Sequence, residues 1–482
     1  MTSNSPRSST TLFCAVLLLA LSLRLVAASL PGFHHPDEVW QYLEPAHHLA
    51  FGRWVSAWEF RDGIRTWLIP LALAGPMKLG QVIAPDTGLY LALPKLLLVL
   101  LSLSVVACAT TIGLRTSPLH GLLAGGVTAV WAELVYFAPR ALSEPVGMAL
   151  FFIAAWLLSR PVASATPRLW LLAGAVLGLA FCARFQYAPA LLVLAAWHGR
   201  RHARAWGWLV LGGLAGLAID GAIDAAVGDH PPWRWILANF RINLLDNKSA
   251  QWGVAPAHWY LTELPATWRW ATVLIVPPAL LGARRQPVLL LAALVNLAAH
   301  ALIPHKEYRF VLLSVALLVV LAALGTADLV RGAPGSRLSP RARVVAAGLV
   351  WVLASAQVAF LGPLKPQWQA GHALVSALQA AGAVSHACGV ALYRHRAVPV
   401  FAYAFYHRDT PLYTFSVADD INAARQYSSA FNILIAPRDA PTLNDAFTLK
   451  ACTSDSYCVY QRAGPCSSKV PPRHVNTPVG GP

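Results

Sequence analysis

The stretch "TLFCAVLLLALSLRLVAASLPGFHHPDEVWQYLEPAHHLAFG" (residues 11–52) decides the fold. Residues 11–30 carry a single charge, Arg24. A helix that crosses the hydrocarbon core of a bilayer needs about 20 such residues. Residues 34–52 then hold Asp37, Glu38, Glu44 and four histidines. A plain connecting loop does not need so many ionisable groups in so short a stretch. The apolar run has the length of a secretory signal peptide too. Arg24 inside it, and the lack of a small-x-small cleavage site before Pro31, favour an uncleaved span.

Composition supports a membrane setting. The chain is 57% hydrophobic and 12% charged, with a mean hydropathy of +0.53; soluble domains carry about 25% charged residues. Further apolar segments at 66–83, 88–113, 118–137, 141–159, 169–198, 205–228, 269–283, 286–303, 308–327 and 344–362 bring the expected spans to about eleven. The net charge of +16 would point to nucleic acid in a soluble protein. Here the basic residues cluster between apolar runs, in "GRRHARAW" (199–206), "ARR" (283–285) and "RGAPGSRLSPRAR" (331–343). Cytoplasmic loops have that pattern, so nucleic acid is not an expected partner.

With those clusters in the cytoplasm, residues 31–65, 229–268, 305–310 and everything beyond 362 are expected on the far side. Parity makes 169–198 a single crossing, as a helix broken near Arg184. That leaves Arg160 and Arg168 outside, against the charge rule. Residues 363–465, with "HALVSALQAAGA" (372–383), "VPVFAYAF" (398–405) and "FNILIAP" (431–437), read as a small α/β domain; 466–482 read as a disordered tail rich in proline and glycine. Cys388, Cys452, Cys458 and Cys466 admit disulfides, free thiols or a metal, and an exported segment favours disulfides. Cys14, Cys108 and Cys182 lie in spans and read as packing residues. The expected fold class is an all-α polytopic membrane protein, its membrane module over 1–362, with an exported α/β C-terminal domain.

Three polar segments are expected to share the exported face. The first holds Asp37, Glu38, Glu44, Glu59 and Asp62 among aromatic residues. It reads either as a solvated interfacial helix with aromatic anchors or as the wall of a cavity. In the cavity reading Asp37, near a helix start after Pro36, is an ionised general base. The second, 229–268, contains five tryptophans and a tyrosine, suited to stacking on sugars or to anchoring at the interface. The third, "PHKEYRF" (304–310), packs His305, Lys306, Glu307 and Arg309 together. It is either a snorkelling cluster or a phosphate clamp; its place away from the cytoplasm favours an anion. Arg140, Glu144 and Arg184 read as members of buried ion pairs. A phosphate-cradling glycine loop, an HExxH motif and a nucleophile elbow are all missing from the sequence. A lipid-phosphate-linked donor therefore fits better than a free nucleotide sugar.

These segments resemble glycosyltransferase family 22, the dolichyl-phosphate-mannose-dependent α-mannosyltransferases, and most of all its GPI mannosyltransferase 3 branch. The resemblance lies in "HPDE" (35–38), "EPAHHLAFG" (44–52), "WEFRDGIRTWLIP" (58–70), "NFRINLLDNKSAQWGVAPAHWYLTELP" (239–265) and "HKEYRF" (305–310). It implies a GT-C fold and an inverting transfer of mannose to a lipid-linked glycan or GPI-like acceptor, with no cofactor and no metal. Asp37 would be the catalytic base with Glu38 beside it. His35, Glu44, Arg65, His258, Trp259, His305, Lys306, Glu307 and Arg309 would bind substrate. Another lipid-phosphate sugar is the nearest alternative. A transporter or flippase is the different class, and Asp220 and Asp224 are the in-span acids that would serve it. The composition favours a bacterial inner membrane over an endoplasmic-reticulum membrane.

Overall fold

The computed structural model describes residues 6–160, 166–200, 203–332, 338–395, 400–416, 421–438, 446–453 and 457–467. Most of the expected disordered tail, from 468 on, lies outside the described residues. The chain forms two compact units. One comprises Met1–Ser29, Thr66–Leu68 and Lys95–Pro366; the other comprises Leu30–Arg65, Ile69–Pro94 and Gln367–Pro482.

The first unit is helical. Its apolar helices are α1 (Pro6–Ser29), α2 (Leu89–Leu114, in this unit from Lys95), α3 (Pro118–Val130), α4 (Ser143–Leu158), α5 (Pro167–Ala183), α6 (Ala188–Gly199), α7 (Ala203–Val227), α8 (Ala271–Ala283), α9 (Pro287–Ala301), α10 (Leu312–Arg331) and α11 (Pro340–Leu361). Among the described residues, five stretches are long and apolar enough to cross a membrane: Ser9–Ser29, Leu89–Leu114, Arg204–Val227, Tyr308–Arg331 and Pro340–Leu361. The axis of the unit is α10, buried from Leu312 to Ala327. Arg24, the one charge of the first span, is buried and donates to the carbonyls of Thr128 (3.1 Å) and Ala129 (3.0 Å). These are C-terminal carbonyls of α3, where a cation meets the negative end of the helix.

Glycines set how these helices run. A Cβ on Gly178 would stand 2.5 Å from the carbonyl oxygen of Gly213; Gly174 meets Leu209, Gly212 meets Leu171 and Gly216 meets Ala175 in the same way. The contacts advance together along both sequences, so α5 and α7 are parallel and in backbone contact. The helix between them, α6, must run back. The single crossing expected over 169–198 is therefore two helices, separated at Arg184, whose extended backbone (φ −150°, ψ 86°) ends α5. The apolar run alone could not show this, because no polar loop marks the reversal.

Polar contacts gather helix ends. Arg115, after α2, donates to Ser159, after α4 (2.7 Å); His120 in α3 meets Asp328 in α10 (3.1 Å); Arg285, after α8, pairs with the same Asp328 (2.7 Å). The start of α5, and with it Arg160 and Arg168, belongs to this arginine-bearing end. Lys95 reaches the Ala28 carbonyl (3.3 Å) at the opposite end, and the Trp67 N–H reaches Asp224 near the end of α7 (3.0 Å). The segment between Trp67 and Lys95, where a crossing is expected over 66–83, belongs mostly to the second unit. Its helix, Leu68–Ile83, buries Ile69, Leu73, Met77 and Gly80 along one stripe, so its apolar residues serve packing on one face.

The second unit holds the helix of the first polar segment, helix His372–Gly382 and a five-stranded sheet. The strands are β1 (Val390–His395), β2 (Leu412–Ser416), β3 (Ile433–Pro437), β4 (Phe447–Thr453) and β5 (Tyr457–Arg462), in the order β2-β1-β3-β5-β4. β1 pairs parallel with β2 and β3, and the β3–β5–β4 pairings are antiparallel. Phe415, Phe431, Leu434 and Phe447 form its core. Disulfides join Cys388 to Cys466 and Cys452 to Cys458, as expected for four cysteines in this region. The first spans 78 residues, enough to contribute about 4 kcal/mol by restricting the unfolded chain.

Gly325 meets the Pro278 carbonyl and Gly282 meets that of Leu321, so α8 and α10 also touch backbone to backbone. Gly325→Ala should cost about 1–3 kcal/mol, read as a lower thermal midpoint in detergent. Gly348→Ala, where a Cβ meets nothing within 4 Å, should stay close to wild type. Equal midpoints would remove the close-contact argument.

Candidate active site

In the helical unit the site is built around residues 304–310, between α9 and α10. Glu144, fully buried in the first turn of α4, lies 3.1 Å from Arg184 and 3.5 Å from Arg309. Arg184 also donates to Ser143 (3.1 Å), and Arg309 pairs with Glu307 (2.6 Å). A buried charge is tolerated only when paired and hydrogen-bonded. Arg309, buried and in contact with two carboxylates, is thus internal to the cluster. The ion pair expected of Glu144 and Arg184 is present. Arg140 stacks over the Tyr136 ring at 4.6 Å.

His305 has both ring nitrogens facing acceptors, the Gly253 carbonyl (2.9 Å) and Glu307 (3.1 Å). An imidazole meets two acceptors only as the two-donor cation. The Glu307 bond accordingly raises its pKa above the usual range for histidine, against burial. Both N–H groups are spent on protein acceptors, one in segment 229–268 and one in 304–310. Lys306 differs: its Nζ gives one hydrogen bond, to the Ile303 carbonyl (2.5 Å), out of the three an ammonium can donate. The later loop is strapped to this turn. The Ala255 N–H donates to Pro304 O (3.0 Å) and the Tyr260 hydroxyl to Glu307 O (3.3 Å). His258 is exposed, and Trp259 packs edge-on against Tyr260 at 5.0 Å. Two of the three polar segments are thus joined within this unit. Residues 31–65 belong to the other.

Sequence reasoning passed over Glu133. It is fully buried and accepts hydrogen bonds from Trp131 (2.7 Å), Trp268 (3.2 Å) and the Tyr308 hydroxyl. Burial raises its pKa, and these three donors oppose the rise. It ties the middle of 304–310 to the chain between α3 and α4. Its signal in the sequence was a lone acid inside the apolar segment 118–137. Asp220 and Asp224, the acids a transporter would need, hold the chain at Thr66–Leu68. Asp220 accepts from Thr66 and from Trp235 (3.1 Å), and Asp224 accepts the Trp67 N–H.

In the second unit a helix runs from Pro36 to Phe51, with Asp37 in its first turn and π-helical turns over Glu38–Leu43. Four carboxylates crowd here and burial separates them. The Asp37 side chain is 25% exposed, whereas Glu38, Glu44 and Glu59 are 1%, 0% and 7% exposed. The Asp37 carboxylate stands 3.4 Å from His35 Nδ1. Glu38 accepts the His34 N–H (2.7 Å) and braces the helix start. Glu59 accepts from Gln41 (2.9 Å); burial first, then the Asp37 charge, raise its pKa, and Arg65 opposes them. Glu44 takes three backbone N–H groups, from Val55, Tyr403 and Ala404. Of these acids, Asp37 is the one a solvent-borne hydroxyl reaches. Glu38, expected as a catalytic partner, and Glu44, expected to bind substrate, are committed to internal contacts. Among the described residues no three histidine, cysteine, aspartate or glutamate side chains come together as a metal site.

The architecture is that of a helical membrane protein with a small C-terminal sheet. Its fold is shared with ArnT from Cupriavidus metallidurans. In the crystal structure bound to undecaprenyl phosphate the TM-score is 0.58 at 13% identity, over 96% of this chain and 100% of that one. The apo structure gives 0.59, also at 13% identity, over 95% and 98%. Residues 15–420 match the Alg9-like mannosyltransferase family, and the chain belongs to that family. Among its relatives are GPI mannosyltransferase 3 of Yarrowia lipolytica, 28% identical over 64% of this chain and 61% of the relative, and that of Drosophila melanogaster, 28% identical over 73% and 61%. GPI alpha-1,2-mannosyltransferase 3 of Homo sapiens is 24% identical over 61% and 54%. The chain thus spans little more than half the length of the curated relatives it matches.

Removing Glu144 leaves Arg184 and Arg309 buried without their shared counter-charge. Glu144→Ala should therefore cost about 3–5 kcal/mol, read as loss of monodisperse protein in detergent. Asp37→Asn should purify as wild type. Normal yield and thermal midpoint for Glu144→Ala would show that the cluster is not holding the loop.

Proposed function

We propose that this chain transfers mannose from a lipid-phosphate-mannose to a hydroxyl of a lipid-linked glycan, with inversion at C1. The observation that carries the reading is the selective exposure of Asp37 among four neighbouring carboxylates. A reachable carboxylate, set apart by its exposure from Glu38, Glu44 and Glu59, suits a single displacement. Asp37 takes the proton of the acceptor hydroxyl as that oxygen bonds to C1. The C1–O bond to phosphate breaks, and the lipid phosphate leaves with its electron pair. Lys306, with donors to spare, suits the phosphate of the lipid-linked donor. His305, as a cation, offsets Glu307 and holds the loop. The undecaprenyl phosphate named for the ArnT structure supports a polyprenyl-phosphate carrier. The names of the curated relatives support mannose as the sugar and a GPI-like glycan as acceptor. A bacterial setting would change the acceptor and leave the donor chemistry intact. Another lipid-phosphate sugar remains the alternative, since the chain shares a fold with ArnT.

The proposed topology keeps eleven crossings, α1 to α11, with α6 taking the place of 66–83. The arginine-bearing end faces the cytoplasm, and this brings Arg160 and Arg168 into line with the charge rule.

Two experiments test these readings. With lipid-phosphate-mannose and an acceptor library, read by mass spectrometry, Asp37→Asn should reduce transfer by about 100-fold or more. Lys306→Ala should raise the donor KM about tenfold, the scale of one lost charged hydrogen bond. Normal turnover by the aspartate variant rejects the base. For the topology, an impermeant maleimide should label Thr87→Cys from outside and Arg168→Cys only after permeabilisation. Labelling of Arg168→Cys on intact cells would reject the orientation of α5.

A further inference from the structure

The helix that carries Asp37 spends six residues, Glu38–Leu43, in π-helical turns. Such turns are rare and energetically poor. Local conformations of this kind persist where the surroundings over-determine them. Both ends of these turns are pinned. At the start, Glu38 accepts the His34 N–H at 2.7 Å. At the finish stands Glu44, whose own N–H closes on the Val39 carbonyl.

The Glu44 carboxylate is fully buried and accepts the N–H groups of Val55 (2.7 Å), Tyr403 (3.0 Å) and Ala404 (2.7 Å). The last two are first-turn donors of the short helix Tyr403–Tyr406, which a helix of its own cannot satisfy. Less than one turn later, His47 Nε2 meets His407 Nδ1 at 3.0 Å, and His407 Nε2 meets Gln81 at 3.0 Å. The Tyr90 ring stacks on His407 at 3.9 Å, and its hydroxyl donates to the Ala404 carbonyl (2.9 Å). All of these residues lie in one compact unit. A single short segment after β1 therefore grips the helix seven residues beyond Asp37.

We propose that Glu44, clamped by the backbone of Tyr403 and Ala404, is a positioning residue that fixes the rotation of the Asp37 helix, making the C-terminal domain part of the catalytic apparatus. The inference rests on the reading of Asp37 as the base. Its physical content is rotational. If the π turns relaxed by one residue, Asp37 would turn by about 100° about the helix axis. A carboxylate held by three N–H groups from two other segments resists that turn. A neutral amide at the same place presents one oxygen and an NH2 group with no acceptor.

Tyr403→Pro isolates the clamp. Ala402 before it is already extended (φ −120°, ψ 144°), as proline requires of its predecessor, and the first helical turn tolerates proline. The substitution deletes one N–H to Glu44 together with the ring; Tyr403→Ala deletes the ring alone. Relative to Tyr403→Ala, Tyr403→Pro should lower kcat at least about fivefold, with the donor KM within about twofold. Glu44→Gln should lower kcat more, and Glu44→Asp should recover part of it. Amides 38–44 should exchange with deuterium faster in Tyr403→Pro than in Tyr403→Ala. Equal kcat and equal exchange in the two Tyr403 variants would overturn the proposal. So would a fall in kcat that only tracks the folded fraction by size exclusion. If the wild type transfers no mannose, the proposed function fails, and the exchange comparison still decides the clamp.

Discussion

The helical unit is organised around the burial of charge. Glu144 sits buried between Arg184 and Arg309, and Glu307 pairs with Arg309 in turn. Each of these groups would cost several kcal/mol alone. Together they fix where α4, the break between α5 and α6, and the turn before α10 can lie. The break at Arg184 is a consequence. A helix continued through that residue would carry its guanidinium away from Glu144. The same demand explains why 304–310 is so charged. It has to satisfy its own cations and acids before it offers anything to a ligand.

Much of the fold was legible in the sequence because a membrane writes it in long apolar runs and clustered arginines. Ten of the expected segments are apolar helices of the helical unit. What was not legible was the direction of two of them. An apolar helix of sixteen residues has the same composition whether it crosses lipid or packs on a domain. Leu68–Ile83 buries one stripe, and in the proposed topology α6 takes its place in the alternation. That proposal rests on the backbone contact between α5 and α7. It depends on Gly174, Gly178, Gly212 and Gly216 facing one another, and glycine spacing does not reveal a partner until the helices are assembled. The misfit of Arg160 and Arg168 to the charge rule is the sign in the sequence that favours the proposed topology over the expected threading.

The chemistry was legible in part. The sequence placed Asp37, Glu38, Glu44 and Glu59 within 23 residues and His305, Lys306, Glu307 and Arg309 within five. It could not rank them, because residue type and spacing say nothing about which oxygen already has a donor. Burial does the ranking. Among the acids, three are committed to backbone or side-chain donors and Asp37 keeps contact with solvent. Among the cations, His305 and Arg309 are committed to Glu307 and Glu144, and Lys306 keeps donors in hand. Glu133 lay outside every motif and proved as deeply embedded as any of them.

That division has a physical reason. A group used in catalysis must change its partner during the reaction, so it cannot be one whose loss of partner would unfold the loop. A group that holds the loop must never lose its partner. In a low-dielectric surrounding both demands are severe, and one residue cannot meet both. Charged residues at such a site therefore come in excess of the number that touch substrate. Here the surplus is accounted for by named contacts. Glu44 holds a helix to the segment after β1, Glu144 and Glu307 hold Arg309, and Glu133 holds Tyr308. Asp37, a quarter exposed, and Lys306, whose ammonium gives one hydrogen bond, are the groups the proposed chemistry draws on.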